Sequence, residues 1–113
     1  MLSVVAARRI LASVALGLGF LHLAVAAPQL GDITPQVLWF VGSGLAIIVA
    51  ALSGFASPTP VVVVQHLSMA AFFVLAWTVI GGPQTVIGAA LFLGLATLSL
   101  TGRRAGAGSS TRE

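Results

Sequence analysis

Residues 33–102 read ITPQVLWFVGSGLAIIVAALSGFASPTPVVVVQHLSMAAFFVLAWTVIGGPQTVIGAALFLGLATLSLTG, and they contain no Asp, Glu, Lys or Arg. A folded domain in water needs charge on its surface, and about a quarter of its residues normally supply it. Seventy consecutive uncharged residues therefore face a different solvent, and hydrocarbon is the one that fits. Across the whole 113-residue chain, 58% of residues are hydrophobic and 6% charged.

Turn-forming residues divide the chain into four apolar runs. The first, about 10–27, follows Arg8-Arg9 and stops at Pro28. The second, about 37–56, stops at Ser57-Pro58-Thr59-Pro60, and the third, 61–80, at Gly81-Gly82-Pro83. The fourth, about 85–101, stops at Gly102-Arg103-Arg104. Each is near the roughly 20 residues that a spanning helix requires. Val61–Val64 would favour a strand in water, but an isolated strand in lipid leaves its backbone unpaired at several kcal/mol per group, so helix prevails. Pro60 suits a first helical position, where no amide donor is needed.

Charge sets the topology. The net charge of +3 comes from five arginines against Asp32 and Glu113, with every arginine near a terminus. Arg8-Arg9 and Arg103-Arg104 both belong on the cytoplasmic side only if an even number of crossings separates them. Four spans satisfy that, and short connections make sequential helices antiparallel neighbours. The expected fold is all-α, an integral membrane four-helix up-down-up-down bundle. Residues 1–104 form a single domain, and 105–113 form a disordered cytoplasmic tail. The absence of Lys beside five Arg, with heavy use of Ala, Gly, Val and Leu, points to a GC-rich bacterial genome. The expected location is thus a bacterial inner membrane, multi-pass, with both termini cytoplasmic. A rival reading concerns Ala24-Val25-Ala26, which has the form of a secretory cleavage site; cleavage there would leave three spans.

Small residues recur at helical spacing: Ser13/Gly17 and Ala15/Gly19 on the first helix, Ala46/Ala50/Gly54 on the second, Ala90/Gly94 on the fourth. Such rows let helix backbones approach closely. They are expected to pack the bundle internally, with a seam to a second copy or another membrane protein as the sharper reading. Trp39 and Trp77 are expected at the outer interface, as anchors.

Polar side chains inside a span mark candidate sites. His22 lies on the small-residue face of the first helix, and Asp32, in the next loop, is placed to reach it. Such a pair could relay a proton or bind a cation. His66, beside Gln65, lies near the inner end of the third helix. It joins Thr97, Ser99 and Thr101 of the fourth in a second polar cluster. For both histidines, hydrogen bonding within the bundle is the commoner role. A haem held by His22 and His66 is disfavoured, because their depths differ by about 10 Å at 1.5 Å per residue. Two separated histidines and one loop acid make no metal site. No cofactor is expected.

The chain has no cysteine, which excludes disulfide frameworks, thiol relays and iron–sulfur clusters. Its basic residues form no stripe, so nucleic acid is not an expected partner. In length and helix count the chain resembles the small multidrug resistance transporters, which work as dimers of four-helix chains. The resemblance stops at architecture, since that family depends on a glutamate in its first helix and no acid lies in this one. The expected function is a non-catalytic membrane component or accessory subunit in the lipid bilayer. The alternative is an oligomeric proton- or solute-coupled transporter using His22.

Overall fold

The computed structural model describes residues 2–110. Four helices account for nearly all of them: α1 Val4–Ala26, α2 Pro35–Ser53, α3 Pro60–Ile80 and α4 Pro83–Ser110, with one 3-10 turn at Ala27–Gln29 after α1. All four are long and apolar enough to cross a membrane.

Local chemistry fixes the helix starts. Ser3, Thr34 and Thr59 each precede a helix in extended backbone, and each side chain accepts a hydrogen bond from the amide three residues on. Thr34-Pro35 and Thr59-Pro60 repeat one device: the threonine satisfies a free amide, and the proline occupies the position where no amide is needed. α3 stops where Gly81 adopts φ 68° and its N–H bonds the Trp77 carbonyl. A side chain at that φ would be strained, so glycine closes the helix.

The bundle consists of two hairpins, α1–α2 and α3–α4, joined chiefly by α1 against α4; α2 and α3 approach each other little. Its core holds Ala12 and Ala15 of α1, Ile47, Ala50 and Ala51 of α2, Ala70 and Phe73 of α3, and Leu91, Phe92 and Leu95 of α4. Small residues create the close seams. A Cβ on Gly19 would lie 2.7 Å from Ile48 Cγ1, and one on Gly54 would lie 2.7 Å from Ala12 Cβ. Where α2 faces α3, large rings span the gap instead, with Trp39 and Phe72 edge to face at 6.4 Å.

The small-residue rows divide. Ala15/Gly19 and Ala50/Gly54 are buried in the bundle. Ser13 and Gly17 are exposed, and a Cβ on Gly17 would meet nothing within 4 Å. Ala46 and Ala90 are exposed as well, so only parts of their rows serve the interior.

The start of α1, the end of α2, the start of α3 and the end of α4 share one end of the bundle. Arg8 reaches Gly54 and Ala56 there, and a Cβ on Gly102 would lie 3.5 Å from Pro58 and 4.0 Å from Val4. This arginine end carries Arg8, Arg9, Arg103 and Arg104. The opposite end carries Asp32, Trp39 and Trp77, with both indoles exposed.

Two boundaries differ from the sequence expectation. α1 begins at Val4, so Arg8 and Arg9 lie inside it and not before it. The tail expected to be disordered from Ala105 is helical as far as Ser110, and residues 111–113 lie outside the described residues. Those last turns are exposed, with Ser109 and Ser110 hydroxyls donating back to carbonyls three residues earlier. Unbroken i-to-i−4 backbone bonding carries the helix on, because neither proline nor a left-handed glycine interrupts it.

Candidate functional site

Of the buried polar side chains, Arg8, His66 and Ser99 lie toward the arginine end, while Thr85, at the opposite end, donates to the Gly82 carbonyl. The Ala51, Leu52 and Ser53 carbonyls at the end of α2 accept from the amides of Gly54, Phe55 and Ala56, which leaves the Gly54 and Ala56 carbonyls to find donors elsewhere. Arg8, from α1, supplies the donors: its Nε donates to the Gly54 carbonyl at 2.9 Å, and Nη2 donates to the Ala56 carbonyl. A guanidinium there also meets the negative pole of the α2 dipole. Arg8 is only 7% exposed, whereas Arg9 is exposed. Sequence reading treated the two alike, as flank charge. The signal that separates them is periodicity: Arg8, Ala12, Ala15 and Gly19 form one inward stripe, and Arg9 lies about 100° round the helix.

One helical turn deeper, His66 of α3 is wholly buried. Its Nε2 lies 3.0 Å from the Ala50 carbonyl and 3.1 Å from Ser53 Oγ. Ser53 Oγ spends its single proton on the Ala50 carbonyl, at 2.7 Å. Toward His66 that hydroxyl therefore accepts, and Nε2 carries the hydrogen that both α2 groups share. The imidazole thus latches α3 to α2, a pair of helices that otherwise contact each other little. Its ring tilts against Phe92 of α4 at 6.1 Å. Nδ1 has no hydrogen-bond partner among the described residues.

Ser99, one turn beyond Leu95, is also fully buried with an unpartnered hydroxyl. Thr97 and Thr101, expected in the same cluster, are exposed and donate back to Leu93 and Thr97. Two residues along a helix is about 200° of rotation, so Ser99 and its threonine neighbours face opposite ways. Gln65 is half-buried, and its side-chain amide makes no hydrogen bond among the described residues. An unpaired buried hydroxyl is destabilising. Ser99→Ala is therefore expected to stabilise the fold by up to about 1 kcal/mol, read from SDS-induced loss of helicity. A loss of similar size would show that the hydroxyl has a partner.

The other candidate histidine lies elsewhere. His22 is half-buried at the α1–α2 seam and stacks on Phe40, centroids 3.9 Å apart and planes 12° from parallel. Asp32 is exposed in the following connection, and the described residues contain no ion pair between it and His22. The two histidines contact α2 at Phe40 and Ala50, ten residues apart, or about 15 Å along that helix. The structure keeps them in separate layers. Among the described residues, no three His, Cys, Asp or Glu side chains gather as metal ligands.

Two pockets of about 200 Å³ each lie at opposite ends. One is beside the start of α2, lined by Val25, Gln29, Gln36 and Phe40. The other lies between the start of α1 and the α2–α3 connection, lined by Arg8, Arg9 and Ser57 with apolar neighbours. Neither borders His66. Comparisons with protein-family models, with curated proteins and with solved structures find no match.

Proposed function

We propose that the chain is a non-catalytic four-span component of a bacterial inner membrane, an accessory subunit that works against another membrane protein or a second copy of itself. Both termini face the cytoplasm, because the arginine end then lies on the side that retains positive charge. Lipid surrounds the exposed apolar faces.

The observation that carries this reading is where the polar groups inside the bundle are spent. His66 and Arg8 tie helices to α2, and His22 lies flat on Phe40. Neither of the two pockets described above connects them. The Ser53–His66 separation suits a nucleophile and base, but the hydroxyl proton points to a carbonyl and the imidazole has no access to substrate. A partner is favoured by the open Ser13/Gly17 face, where a neighbouring helix could approach closely.

The test has two arms. Purified protein in proteoliposomes carrying a pH-sensitive dye is expected to pass no protons, and His22→Ala is expected to leave helicity and assembly unchanged. Gly17→Leu is expected to lower the mass of the detergent-solubilised assembly while changing stability by no more than about 0.5 kcal/mol. Proton or cation flux that disappears in His22→Ala would instead establish the transporter reading.

A further inference from the structure

We propose that the pocket at the arginine end binds the phosphate of an anionic phospholipid headgroup from the surrounding leaflet. The inference is independent of the accessory-subunit reading and needs only that the helices span a bilayer. Three observations converge on it.

The first is a preorganised cation. Arg8 is pinned by the Gly54 and Ala56 carbonyls, which occupy two of its five N–H donors. The buried side-chain atoms without partners are His66 Nδ1 and Ser99 Oγ; no Arg8 nitrogen is among them. The Arg8 nitrogen without a hydrogen bond, Nη1, is thus not fully enclosed, and Arg8 lines the pocket. A guanidinium held in place loses little freedom on gripping a phosphate.

The second is uncompensated charge. Arg9 lines the same pocket, and Arg103 and Arg104 follow Gly102 at the same end. Among the described residues the single acid is Asp32, at the opposite end. No described residue near these four cations is an anion, and a basic pocket at the ends of spanning helices suits an anionic headgroup.

The third is shape and polarity. The volume, about 200 Å³, is below the roughly 300–1,000 Å³ of a site for a drug-sized ligand. It accommodates a headgroup fragment whose remainder stays in the bilayer. Ser57 adds a hydroxyl beside the arginines, while Val5, Phe55 and Pro58 give the wall an apolar side, as an amphiphile requires.

Native mass spectrometry of the full chain released from nanodiscs reads the lipid retained. Phosphatidylglycerol is expected to remain bound and phosphatidylcholine to be lost. Arg9→Ala is expected to reduce phosphatidylglycerol retention about tenfold, the size of one charge-assisted hydrogen bond. Arg104→Ala removes the same charge from the same end but outside the pocket, and is expected to change retention less than about twofold by screened attraction alone. Arg9 is exposed and its side chain makes no hydrogen bond among the described residues, so Arg9→Ala should fold; helicity checks that it does. Equal losses in the two variants would overturn the site, because diffuse attraction then accounts for binding. So would equal retention of both lipids. Inorganic phosphate that binds with the same Arg9 dependence while phosphatidylglycerol does not would overturn the lipid assignment.

Discussion

Gly88→Leu is expected to cost about 3 kcal/mol or more of fold stability, the upper range for overpacking a core. A Cβ at Gly88 would overlap the Phe73 ring. That ring is 4% exposed, stacks on Phe92 at 5.9 Å, and meets Phe72 edge to face at 5.7 Å, so it has no free rotamer to adopt. The strain therefore falls on the α3–α4 interface, the most extensive in the bundle. Even Gly88→Ala is expected to destabilise, although alanine favours a helix over glycine by about 1 kcal/mol. Gly17→Ala makes the same chemical change with nothing within 4 Å of the new carbon, and is expected to be neutral or stabilising. SDS titrations of helicity on the pair decide the matter. Equal behaviour of the two variants would mean that α3 and α4 are not in this register.

Arg8→Ala is expected to destabilise by about 2–3 kcal/mol, and its neighbour Arg9→Ala by no more than about 0.5 kcal/mol. The contrast comes from partners. Removing the Arg8 guanidinium leaves the Gly54 and Ala56 carbonyls without donors and the end of α2 without a compensating cation. Arg8→Lys should recover less than half of the loss, because an ammonium lacks the planar fork that addresses two carbonyls at once. The same denaturation measurement serves. Equal costs for the two alanine variants would show that Arg8 acts only as surface charge.

Four helices, their antiparallel order and the proline start at Pro60 could be read from the chain, because charge depletion and turn residues are local signals. The candidate site was only partly legible. His66 could be identified as buried and polar, yet its partners Ala50 and Ser53 lie on another helix, and no local rule fixes that register. Ser99 could not be separated from Thr97 and Thr101 without knowing which face α4 turns inward. Arg8 was hidden by its neighbour: an arginine pair ahead of an apolar run has the look of a flank. Only the stripe Arg8–Ala12–Ala15–Gly19, counted from the Ser3 cap, distinguishes the two. The proposed reach of Asp32 to His22 relied on nearness in sequence, and stacking on Phe40 gives that imidazole a different neighbour.

The segregation of charge has a consequence for biogenesis. In the proposed orientation, with the arginines on the side of synthesis, the only parts of the described chain to be translocated are two turns, one of them Gly81-Gly82 and the other containing Asp32. A single formal charge has to traverse hydrocarbon during insertion. Each helical hairpin can thus enter the bilayer as a unit, and the carboxylate of one aspartate sets most of the electrostatic work of doing so.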